Sequence, residues 1–151
     1  MKQMNTGRIV LGGVVAALII NVIEWVMNGV VLKADWATAM QTLNRPVDVS
    51  SFAVAVYNII GVLEGIIGVW LYAALSGRYG FGAATRAKAG LVIWVLASFI
   101  PNLGMLPSGL FPGRLMAFSV VIDFLAILLG VTMGAVLYRE ENTPAARTAH
   151  A

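Results

Sequence analysis

From Ile9 to Leu32 the chain carries one charged side chain, Glu24, in a run otherwise made of aliphatic, small and aromatic residues with two asparagines. Three comparable runs follow, at residues 52–75, 89–106 and 113–138. A helix needs about 20 apolar residues to cross a hydrocarbon core of about 30 Å. The four runs therefore predict an all-α fold, an integral membrane four-helix transmembrane bundle over residues 1–138, followed by a polar C-terminal tail at 139–151 that is expected to be disordered. Composition agrees: 11% of residues are charged, against about 25% in soluble domains. The four spans leave no room for a separate catalytic domain.

Basic residues report orientation. Lys2, Arg8, Arg78, Arg86, Lys88, Arg139 and Arg147 fall on one side of the spans, and Lys33, Arg45 and Arg114 on the other. The excess of Lys and Arg marks the cytoplasmic side, so both termini are expected in the cytoplasm and the chain in the cell inner (plasma) membrane. These residues are scattered, with no dense run, which argues against nucleic acid as a partner. Lys2 and Arg8 resemble the basic start of a signal peptide, but the apolar run behind them is far longer than a signal core. It reads as an uncleaved anchor.

The connections carry their own signals. Between Lys33 and Ser51 a short helix is expected, with Asp35 as its cap and Trp36, Met40 and Leu43 on one face, as suits a helix at the membrane interface. Ser50 or Ser51 should cap the second span. The third span is expected to start near Ala89 and to kink or unwind at Pro101, because proline removes a backbone donor and clashes with the preceding turn. Pro112 suits the first turn of the fourth span. A short internal similarity links Gly68–Tyr72 with Gly134–Tyr138, near the ends of the second and fourth spans.

Three acids interrupt the spans: Glu24, Glu64 and Asp123. A carboxylate at the centre of a membrane helix costs roughly 2.5–3.5 kcal/mol even on the lenient insertion scale, and no Lys, Arg or His lies near the acids in sequence. Measured by the helical rise, Glu24, Asp123 and Glu64 lie about 12, 15 and 18 Å from the outer ends of their spans. Asn21, Asn28, Asn58 and Asn102 share that outer half or the midplane. On the first span Gly13, Ala17, Asn21, Glu24 and Asn28 form one helical stripe, small at one end and polar at the other. The second span pairs Asn58 with Gly61, Gly65 and Gly68, and the fourth pairs Asp123 with Gly130 and Gly134. Small residues let membrane helices approach closely and polar ones face the bundle interior.

One outward-facing pocket is thus expected, with Glu24, Glu64, Asp123, Asn21, Asn28, Asn58 and Asn102 as its polar lining and Trp25 as an aromatic face beside the first acid. Acids that exchange protons, or accept a cation as counter-charge, suit a carrier of a small cationic or polar molecule with proton coupling. Two alternatives stand beside this. The acids can pair with a basic residue on a partner membrane protein or in a homo-oligomer, making the chain an accessory or structural subunit. They can also simply hydrogen-bond neighbouring amides and fix helix register. No catalytic residues are assigned, since nothing supplies a nucleophile or a phosphate cradle. With no cysteine and a single histidine, His150, no metal site and no cofactor are expected.

The segment Glu24-Trp25-Val26-Met27-Asn28-Gly29-Val30-Val31-Leu32-Lys33-Ala34-Asp35-Trp36, an aromatic-rich span end followed by a turn with Lys and Trp, resembles a group of small uncharacterised bacterial four-span membrane proteins. Their final span ends in Gly, Leu and an aromatic, here Gly134 to Tyr138. That resemblance implies the fold and no activity, so it assigns no site residue. Four spans with an acid in the first are also similar to small multidrug-resistance exporters, where Glu24 would take the acid's role. Two further acids, a long first connection and a proline-rich third one depart from that pattern, and the comparison is analogy alone.

Overall fold

The computed structural model describes residues 4–138; the tail and His150 lie outside the described residues. Within them every regular element is helical. Helix α1 (Thr6–Val26) runs on through a π-helical turn, Met27–Val31. A short α2 (Lys33–Thr42) follows, and then α3 (Ser51–Tyr79). Helix α4 (Ala83–Trp94) continues through a second π-helical turn, Val95–Phe99, into α5 (Ile100–Met105) and a 3-10 turn at Leu106–Ser108. Helix α6 (Gly113–Gly134) closes the described chain with a 3-10 turn at Ala135–Leu137. Joined across those turns, four helices of 26, 29, 26 and 25 residues are long and apolar enough to cross a membrane.

Local chemistry sets several of the ends. Asn5 accepts a hydrogen bond from the Arg8 amide at 2.9 Å, and Ser50 Oγ accepts one from the Ala53 amide at 3.2 Å. Each satisfies one of the amides that a helix start leaves without a partner. Gly80, at φ +80°, ends α3 in a conformation that a side chain would strain. Ser50→Ala is expected to cost about 1 kcal/mol of local stability, read as faster hydrogen exchange at the Ala53 amide with the rest of α3 unchanged.

The structure departs from the sequence reading at three ends. Helix α4 starts at Ala83 rather than near Ala89, so Arg86 and Lys88 are helical and only Gly80–Gly82 separate it from α3. Asp35 lies in the first turn of α2 without capping it; Leu32 is the cap position and gives no side-chain bond. At Pro101 the helix does not unwind: it runs on from the π-helical turn through Met105. The wider π turn already departs from the i→i−4 ladder that proline disrupts, since the Ile100 amide bonds the Val95 carbonyl.

Helix α1 packs against α3 and α6, and α4 packs against α6 and α3. The contacts of α1 are close because glycines sit in them. A Cβ on Gly65 would come within 2.5 Å of the Gly13 carbonyl oxygen and 2.7 Å of the Ala17 amide nitrogen. One on Gly130 would come within 2.6 Å of Ile20, and Gly134 meets the Gly12 carbonyl and Ala16 in the same way. The small-xxx-small pairs are spent inside the chain. Ala16, Ile20, Val69, Ile127 and Val131 fill the core between them, and Tyr72 and Tyr138 meet edge to face at 6.0 Å where the two similar segments end.

Packing is uneven along the bundle axis. The buried residues of α3 begin at Gly61 and none precedes it; α5 has none. On the other side α2 covers the ends of α1 and α6: Leu32, Ala39, Leu115 and Ile122 form a second small core, and Trp36 meets Phe111 edge to face at 5.6 Å. The bundle is closed at the end holding Gly12 and Gly134 and open on one side at the other.

Candidate functional site

The three acids come from three helices and converge where the closed half gives way to the open one. Glu24 lies near the end of α1, Asp123 on α6 and Glu64 on α3, each half-buried. The Glu24 and Asp123 carboxyl groups are within hydrogen-bonding reach of each other. Glu64 is near enough to interact through space with both, and it accepts no hydrogen bond from a described residue.

Two donors hold the close pair, and each stands in a π-helical turn. Asn28, in the first turn, donates from Nδ2 to Glu24 Oε2 at 2.7 Å. Trp36 Nε1 on α2 donates in turn to Asn28 Oδ1 at 3.0 Å, which fixes which way that amide faces. Ser98, in the second turn, donates from Oγ to Asp123 Oδ2, and Asn102 Nδ2 donates to the Ser98 carbonyl at 3.0 Å. π-Helical turns break the regular ladder at a local cost and are frequent at functional sites. Here both fall beside an acid.

The remaining residues named from sequence are placed differently. Asn21 Nδ2 donates to the Asn58 carbonyl at 3.3 Å, tying α1 to α3 one turn below Glu24. Asn58 turns its own side chain to the Val54 carbonyl at 2.8 Å and is exposed. Asn102 supports Ser98 without touching a carboxyl group. Trp25 is 68% exposed, on the outside of the bundle beside Gly29. The structure thus gathers Glu24, Asp123, Glu64 and Asn28, with Asn21 beneath them, and leaves Trp25 and the Asn58 side chain apart. Ser98 and Trp36 join the site without having been singled out as members. Ser98 carried one signal, as the only hydroxyl between Lys88 and Pro101.

Two carboxyl groups in contact are held together by a shared proton or by a cation between them, because like charges in low dielectric repel. The basic side chains described sit towards the two ends of the chain's long helices, at Arg8, Arg78, Arg86 and Lys88 on one end and Lys33, Arg45 and Arg114 on the other. Among the described residues no group of three acids or imidazoles is arranged to hold a metal ion. The arrangement is chemically suited to taking up and releasing a proton at Glu24–Asp123, with Glu64 as an uncommitted third acid. No family model, no curated protein and no solved structure matches this chain.

Proposed function

We propose that this chain is a multi-pass protein of the inner membrane whose Glu24–Asp123–Glu64 cluster binds a small cationic or polar molecule in exchange for protons, as a proton-coupled carrier does. The observation that carries the reading is the contact between Glu24 and Asp123, each with its own hydrogen-bond donor and neither with a basic partner among the described residues. A cation entering the cluster takes the place of the shared proton. The missing packing above Gly61 on α3 and along α5 supplies a way in from the outer half. Orientation follows the Lys and Arg residues: Arg8, Arg78, Arg86 and Lys88 lie at one end and Lys33, Arg45 and Arg114 at the other, and in sequence Lys2, Arg139 and Arg147 adjoin the first group. By the positive-inside rule both termini then face the cytoplasm.

Purified protein in lightly buffered detergent, titrated with tetraethylammonium as the probe, tests this. Wild type is expected to release protons as the cation is added, with a matching loss of protonated carboxyl signal in difference infrared spectra. Glu24→Gln should remove both responses and keep the helix content. A wild-type protein whose carboxyl bands ignore the cation at every pH would sink the proposal.

A second reading has its own support. Phe52 and Tyr57 are 76% and 61% exposed, and Asn58 beside them is exposed too, a surface that a partner membrane protein could cover while presenting a basic residue to Glu64. Under that reading a stable complex survives mild detergent at native expression, and Glu64→Gln dissociates it.

A further inference from the structure

The closed end of the bundle carries cations that the acid cluster does not use. Arg78 is in the last turn of α3 and Lys88 in the second turn of α4, two helices joined by a tight turn. Both converge on one aromatic ring: the Arg78 guanidinium lies 5.9 Å and the Lys88 ammonium 4.3 Å from the centroid of Tyr79. All three residues are exposed. Bringing two like charges to one ring is unfavourable unless something negative shares the position, and the five acids of the described chain all lie elsewhere. Below Lys88 on the same face of α4, Leu91 and Val92 are 44% and 41% exposed, so the cationic group continues into apolar surface. A charged rim above an apolar wall matches a phospholipid, phosphate above and acyl chain below.

We infer that Arg78, Tyr79 and Lys88 form a binding site for the headgroup of an anionic phospholipid, with the acyl chain lying against Leu91 and Val92. The inference rests on the chain spanning a membrane. Arg78 gains from its place at the negative end of α3, and the Tyr79 ring holds both cations at headgroup level, where tyrosine is favoured. Each basic side chain near a membrane surface adds to the attraction for anionic lipid.

The test is native mass spectrometry of the full chain released from nanodiscs of phosphatidylcholine with a minor share of phosphatidylglycerol. Wild type is expected to retain phosphatidylglycerol out of proportion to its abundance. Arg78→Ala/Lys88→Ala should retain it roughly tenfold less or weaker still, and Tyr79→Leu should lose part of the preference. Arg8→Ala, which removes a charge from the same end, should keep the preference. An equal loss in that control would show general charge attraction and overturn the site. So would displacement of the lipid by inorganic phosphate alone, which would assign the cations to a free anion. A wild-type chain that enters the nanodiscs yet ignores headgroup charge overturns the lipid site and leaves the membrane reading standing.

Discussion

Gly134→Ala is expected to lower the melting temperature of the bundle sharply, whereas Gly77→Ala leaves it unchanged or raises it. The added methyl at Gly134 would land on the Gly12 carbonyl oxygen, 2.8 Å from Ala16 Cβ and 3.0 Å from the Ala16 amide nitrogen. Two of those three are backbone atoms and cannot rotate away, so α1 and α6 must separate along their contact. Overpacking a well-filled core typically costs about 1–3 kcal/mol, and a backbone contact puts this substitution at the upper end. Gly77 is the matched control, since nothing lies within 4 Å of its new methyl and alanine is the better helix former by roughly 0.5–1 kcal/mol. Circular dichroism melts of both variants in one detergent decide the matter. Equal melting temperatures would mean that α1 and α6 do not meet as described.

Asp123→Asn should abolish cation-driven proton release as completely as Glu24→Gln, and the double variant should be no worse than either single one. Two groups that share one proton act as a unit, and removing either member removes the function. Asparagine keeps an acceptor for Ser98, so the α4–α6 contact survives and the loss is not one of folding. The affinity for tetraethylammonium is expected to fall about tenfold or more, equivalent to about 1.4 kcal/mol. Glu64→Gln should lose less, because Glu64 interacts with the pair only through space. Losses that add in the double variant would show two independent acids and remove the shared proton from the mechanism.

The four long helices were legible because hydropathy reports the spans directly, and the three acids and Asn28 stood out as polar residues in apolar runs. The start of α4 was not, since Thr85, Arg86 and Lys88 lower the local hydropathy and imitate a loop. What makes them helical is the turn before them: Gly80 ends α3, and Gly80 carbonyl accepts from Thr85 Oγ1 at 2.8 Å. Ser98 was overlooked because a serine in a helix can satisfy itself on its own backbone and so signals little. The π-helical turns are harder still to read. One added residue rotates everything beyond it by about 100° around the helix, so a regular projection mislays the residues after Val95, Asn102 among them. The Trp36 ring suits an interface by composition alone, whereas its N–H, bonded to Asn28, is the part that reaches the site.

The apolar stretch of α3, Phe52 to Leu75, measures about 36 Å at the usual rise, somewhat more than a hydrocarbon core of about 30 Å. A helix too long for its bilayer responds by leaning. This one is tied to α1 at Asn58 and packed on it from Gly61 onward, with no buried residue before Gly61, so the pivot falls between Asn58 and Glu64. In a bilayer, thickness is therefore expected to act on the stretch from Ser51 to Tyr57, which leans free of the core, before it reaches the three acids near the pivot.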